Sequence, residues 1–233
     1  MNKTMHLVSA IFRFSIITLM LSSMCGLGAA QEKKIAYGIL LDNTGSMRSQ
    51  FNIVNGLGKA IVHQVHGHGP VSLFDFHSVG KGPGTKAVAT PRIEASQDEQ
   101  LLNRTIENLY VEGGQTALLD AIQFIEEALN QSAPDANKII ILITDGEDRT
   151  STTDQKKLIK QLKEQKIAVF AVGLVQQLDN DSGLIRVSPR AKAIELLKSI
   201  TKETGGRVVF PKSDQVQVEK ALSELALPPS LKN

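Results

Sequence analysis

A chain of 233 residues with 26 Lys and Arg against 24 Asp and Glu is close to neutral, and 42% of it is apolar. That length suits one domain with a sizeable core, and the composition is that of a globular protein rather than a disordered or fibrous one. No run of basic residues stands out, so a surface built to grip phosphates is excluded and nucleic acid is not an expected partner.

The first thirty residues read as an export signal. Lys3 and Arg13 are the only charges, Phe14 to Cys25 is mostly apolar, and Gly28, Ala29 and Ala30 supply the small residues that signal peptidase needs. Cleavage is expected before Gln31, because the apolar stretch is shorter than the roughly 20 residues a spanning helix requires. Met24 precedes Cys25, unlike the small residue found before the lipid-modified cysteine of bacterial lipoproteins. Loss of Lys3 and Arg13 brings the 26 basic residues down to 24, equal to the acidic ones, and removes the single cysteine. The mature chain is therefore expected without disulfide or thiolate metal site, periplasmic or secreted, and touching a membrane only through an uncleaved signal.

Ile35 to Leu41 is nearly unbroken apolar sequence ending at Asp42, the pattern of a strand buried on both faces. Phe51, Val54, Leu57, Ile61 and Val65 then repeat at helical spacing after Ser46. Val71 to Phe76 predicts a second strand, and Thr85 to Ile93 an edge strand. Leu118, Ile122, Ile125 and Leu129 line a helix after Thr116, followed by a strand over Ile139 to Ile143. Leu158, Leu162 and Gln165 mark a helix after Asp154, and Ile167 to Leu174 the next strand. Ile194, Leu197 and Ile200 belong to a helix ended by Gly205 and Gly206; a short strand over Arg207 to Phe210 and a helix over Val216 to Leu225 close the series. Strand and helix in alternation predict an α/β fold, an open and mostly parallel sheet with helices on both faces. The expected division is a signal over residues 1–30, one domain over 34–226 and a loose tail over 227–233.

Sheets of this kind bind ligands at the carboxyl ends of their strands, and three oxygen-rich loops fall there. Asp42-Asn43-Thr44-Gly45-Ser46 offers a carboxylate and two hydroxyls at alternate positions, with Ser46 placed to cap a helix. Glu112-Gly113-Gly114-Gln115-Thr116 brings a hydroxyl to a helix start, and Thr144-Asp145-Gly146-Glu147-Asp148 a carboxylate after the most apolar strand. Hard oxygen donors suit magnesium, manganese or calcium rather than zinc or copper. Each loop alone is more often a cap or a turn; their common placement points to one metal.

Asp42, Thr44 and Ser46, a distant Thr116 and a later Asp145 resemble the metal-ion-dependent adhesion site of von Willebrand factor type A domains, and the resemblance covers essentially the whole mature chain. It departs at Thr44, where the family usually has Ser; the hydroxyl is kept and a methyl added. The resemblance implies a Rossmann-like fold in which Thr44 and Ser46 coordinate Mg2+, or Mn2+ or Ca2+, directly. Thr116 joins them in the active conformation, and Asp42 and Asp145 act largely through bound waters. It further implies an open metal position filled by an Asp or Glu of a protein partner, and no catalysis.

Two alternatives differ in class. Asp42 after a first parallel strand resembles phosphatases of the haloacid dehalogenase type, but Thr44 replaces the second acid of their Asp-x-Asp. A metal that only ties loops together is the other. Three further features read as structural. His63-x-x-His66-x-His68, with His77 beyond, has the residues for a transition metal but no carboxylate beside it in sequence, and reads as a solvated helix C-terminus. Gly80 to Lys86 lacks the spacing of a phosphate loop and reads as mobile. Glu147, Asp148 and Arg149 read as exposed charge beside the site.

Overall fold

The computed structural model describes residues 34–79, 86–179, 187–211 and 218–227. The expected export signal over residues 1–30, the Gly80 to Thr85 part of the glycine-rich segment, residues 216 and 217 of the last expected helix and tail residues 228–233 lie outside the described residues. The expected α/β fold is found. Six strands, β1 (Ile35–Asp42), β2 (Val71–Val79), β3 (Lys86–Ser96), β4 (Asn137–Thr144), β5 (Ile167–Gly173) and β6 (Val208–Val209), form one sheet in the order β3-β2-β1-β4-β5-β6. All neighbours are parallel except the antiparallel β2–β3 pair at one edge.

The continuous apolar runs have a simple cause: β1 and β5 are buried along their whole length, because helices cover both faces. Alternation along β1 sends Ile35, Tyr37, Ile39 and Leu41 into one core layer. They pack there with α1 (Phe51–Val65), α2 (Glu99–Glu107) and α6 (Val218–Leu225). Ala36 and Leu40 face the other layer, with α3 (Leu118–Ser132), α4 (Gln155–Glu164) and α5 (Pro189–Glu203). Gly38 also points to that side, where a Cβ would lie 2.8 Å from the Ile125 side chain. A bare backbone on β1 therefore lets α3 lie close against the sheet.

Some details differ from expectation. Helix α2 was not anticipated, since its surface is charged and only Leu102 and Ile106 are buried; Asp98, accepting from the Leu101 N–H at 3.0 Å, is the cap that signals it. Ser46 caps nothing: a 3-10 turn (Gly45–Gln50) intervenes before α1, with Thr44 at its N-cap. Leu227, assigned to the tail, is 7% exposed and joins the core layer of α1.

Candidate metal centre

Parallel registration creates the site. β1 and β4 pair Leu41 with Ile143, so the next residues, Asp42 and Thr144, end side by side. Asp42 is fully buried and engaged on both oxygens. Oδ1 accepts from the Thr44 hydroxyl at 2.6 Å and its N–H at 3.0 Å, and Oδ2 accepts from the Thr144 hydroxyl at 2.6 Å. The Thr44 and Ser46 hydroxyls are 3.2 Å apart, and Ser46 is exposed, so the cluster opens to solvent on that side. Asp145, 1% exposed, accepts from the Glu147 N–H at 2.9 Å through Oδ1, and Gly146 makes the turn at φ +77°. Asp145 Oδ2 is buried with no hydrogen-bond partner among the described residues.

The middle loop is clamped to the first by backbone. Asn43 carbonyl accepts from the Glu112 and Gly113 N–H groups at 3.1 and 3.4 Å, and a Cβ on Gly45 would lie 3.8 Å from Gly113 Cα. Gly113 and Gly114 take φ of +89° and +82°, which glycine adopts without strain. Thr116 is buried, and its carbonyl accepts from the Arg149 and Thr150 N–H groups at 2.9 and 3.2 Å, tying the middle loop to the third. Four of the five expected residues, Asp42, Thr44, Ser46 and Asp145, thus interact through their side chains, and Thr116 enters through its backbone. Thr116 does not cap α3. Asp148 Oδ1 does so across the loops, accepting from Leu118 N–H at 2.8 Å. Nor is Glu147 exposed; it is 8% accessible and paired with Arg149 at 2.8 Å.

Sequence reasoning missed the support beneath these loops. Asp75 on β2 is fully buried, accepts both bonds of an Arg92 fork at 2.7 Å each and takes a third from Asn43 Nδ2 at 2.6 Å. Arg92 also reaches Glu112 at 2.8 Å, and Glu112 pairs with His77 at 3.1 Å. An acid in the apolar strand Val71 to Phe76, facing a basic residue in the next strand, was the available signal.

The electrostatics suit a cation. Burial, and then the charge of nearby Asp145, pushes the Asp42 carboxyl up to about 7; burial also raises Asp145, against the hydrogen bond from Ser46. Two desolvated acids, an orphaned carboxylate oxygen and two hydroxyls make an all-oxygen donor set that a divalent ion fits. Without metal, the folded state holds protons over a range where the unfolded chain has released them. The metal-free protein is therefore expected to lose stability as pH rises from about 4 to about 7, with the contribution fully present below that window. Saturating magnesium is expected to remove the loss by replacing the protons. Melting temperatures across that range, in chelator and in magnesium, check this; an unchanged slope in Asp42→Asn would show that other groups set it.

A sequence model of the von Willebrand factor type A domain matches residues 38–224. Among solved structures, a von Willebrand factor type A protein from Catenulispora acidiphila is similar at 18% identity and a TM-score of 0.57, over 84% of this chain and 42% of that one. An aerotolerance-related membrane protein from Bacteroides fragilis matches at 18% identity and 0.58, over 82% of this chain and 98% of its own. Proximal thread matrix protein 1 from the mussel byssus, solved with a zinc-occupied adhesion motif, matches at 18% and 0.60, over 83% and 47%. The chain thus spans less than half of the first and third of these proteins, and at such identities the likeness is one of fold.

Proposed function

We propose, since the chain belongs to the von Willebrand factor type A family, that it is an exported binding module whose divalent ion captures a carboxylate of a protein partner. Domains of this family are commonly interaction modules, often metal-dependent. The observation that carries the reading is the meeting of buried Asp42 and Asp145 with the Thr44 and Ser46 hydroxyls at an opening marked by exposed Ser46. Asp42, Thr44, Ser46, Thr116 and Asp145 are the residues assigned to Mg2+, or to Mn2+ or Ca2+. The bound ion supplies Lewis acidity toward an incoming oxygen ligand.

The chain's own groups set how strong that acidity is. Asp42 has both oxygens committed to Thr44 and Thr144, which leaves the hydroxyls as the natural direct ligands. Two carboxylates balance a divalent charge without exceeding it, so the ion keeps affinity for an Asp or Glu from outside. The Thr44 hydroxyl at 2.6 Å from Asp42 is a donor where phosphatases of the dehalogenase type carry a second acid, which favours binding over hydrolysis. Among the described residues, no helix is long and apolar enough to cross a membrane. Export, cleavage before Gln31 and a periplasmic or secreted address complete the proposal.

The test loads the protein with manganese and follows water-proton relaxation. Acetate, or a peptide containing glutamate, is expected to displace a metal-bound water and lower the relaxation enhancement. The same peptide with glutamine in place of glutamate is expected to leave it unchanged. No response to either carboxylate would mean that the ion has no open position and only holds the loops together. Zinc belongs in the same series, since the mussel protein holds it in the corresponding motif.

A further inference from the structure

Histidines 63 and 66 lie at the C-terminal end of α1, and the acid that their sequence neighbourhood lacks arrives from α2. His63 Nδ1 lies 2.9 Å from Glu99 Oε1, and His66 Nε2 lies 3.4 Å from Glu99 Oε2. The three ligand atoms fall within 4.8 Å of one another. Glu99 stands in the first turn of α2, just after its cap Asp98, so the placement follows from how α2 packs on α1. Lys59, one turn back on α1, is occupied by Glu107 at 2.9 Å.

We infer that His63, His66 and Glu99 form a binding site for a first-row transition-metal ion of the zinc, copper or nickel class, distinct from the all-oxygen centre. Hydrogen bonding decides the state of His66. Its Nδ1 lies 2.7 Å from the His63 carbonyl oxygen, which only a donor can approach, so Nδ1 carries hydrogen. In the neutral ring Nε2 then turns a lone pair toward Glu99 Oε2. Two acceptors face one another, and a positive species belongs between them, either a proton or a metal ion.

The two His–Glu distances differ: His63 to Glu99, at 2.9 Å, is a hydrogen bond that an entering ion would replace, and the longer contact of His66 is the one with room for a metal. A charge-assisted N–H···O bond is about 2.7–2.9 Å long, shorter than the 3.4 Å found. Two ligands on one tetrahedral ion, with bonds of about 2.0–2.1 Å, stand roughly 3.3 Å apart. The Nδ1–H bond to a backbone carbonyl is also the outer contact that commonly fixes a metal-binding imidazole. The rings stack with centroids 5.4 Å apart, and the negative end of the α1 dipole favours a cation there. A second His–carboxylate group, Asp75, His77 and Glu112, lacks this character because Arg92 already lies between its acids.

The site lies far from the metal centre. α1 begins at Phe51, at the end of the 3-10 turn that holds Ser46, and runs fifteen residues, about 22 Å at 1.5 Å per residue, so His63 and His66 sit toward the amino ends of the strands. His63 and His66 side chains are 77% and 38% exposed, which leaves the remaining coordination positions to solvent.

The test uses the full chain, stripped of metal and then supplied with excess magnesium to occupy the oxygen site. Copper(II) is added and read by electron paramagnetic resonance; zinc is followed by calorimetry. One equivalent of copper showing nitrogen hyperfine structure is expected, a signature that oxygen ligands cannot produce. His63→Ala/His66→Ala should lose it, and Glu99→Gln should weaken zinc at least the roughly tenfold that loss of an outer-shell partner brings. Unchanged melting curves in both variants confirm intact folding, as expected for side chains that are exposed or half-buried. Binding undiminished in the double variant, or absent from the parent at micromolar metal, would overturn the assignment and leave a protonated His–Glu cluster.

Discussion

Asp145→Ala is expected to abolish saturable binding of magnesium, manganese and calcium, and with it the whole thermal stabilisation that metal confers. If the ion binds only the folded state, a hundredfold excess over its dissociation constant stabilises the parent by about 2.7 kcal/mol. For a domain of this size that is a rise of roughly 5–10 °C in melting temperature. The same variant should behave in the opposite sense without metal. Asp145 is 1% exposed, carries an orphaned buried oxygen and repels Asp42, so its loss relieves a cost even as it forfeits the bonds from Ser46 and the Glu147 N–H. The metal-free variant should therefore melt no lower than the metal-free parent. Calorimetric titration and paired melts in chelator and magnesium decide it. A variant that still gains several degrees from magnesium would place the ion elsewhere.

Arg92→Met is expected to destabilise the fold by about 3 kcal/mol, since it leaves a buried charge uncompensated. Asp75 is fully buried, while Arg92 keeps 30% of its side chain in solvent, so the penalty arises on the aspartate. One bond survives, from Asn43 Nδ2 at 2.6 Å, which places the effect at the lower end of the range for broken buried pairs. The companion Asp75→Asn/Arg92→Met should recover most of the loss, because no charge then stays buried. Urea unfolding of the three proteins reads both effects. A loss below 1 kcal/mol in Arg92→Met would mean that the Asp75 side chain does not depend on Arg92 for its stability. Metal affinity is expected to fall in Arg92→Met as well, because Arg92 also holds Glu112, whose N–H donates to Asn43.

Much of this protein was legible in one dimension because the relevant periods are local. A strand buried on both faces must be apolar throughout, so β1, β4 and β5 stand out, and helices between them must bury every third or fourth residue. Asp42, Thr44 and Ser46 announce themselves for the same reason: a loop that closes on one ion needs its donors at short, regular spacing. Only the tertiary structure could decide what lies across from what. Asp42 meets Asp145 because β1 and β4 register side by side, and their shared burial is what raises both carboxyls. The capping of α3 by Asp148 spans 30 residues, Arg92 reaches Asp75 from the neighbouring strand, and Glu99 completes the histidine pair from a helix whose charged surface concealed it. The last three depend on groups separated in sequence being brought within about 3 Å, and hydrogen bonds and ion pairs lose their directionality and strength beyond that reach. Spacing along the chain carries the ligands of a single loop, and packing alone carries the partners that hold them.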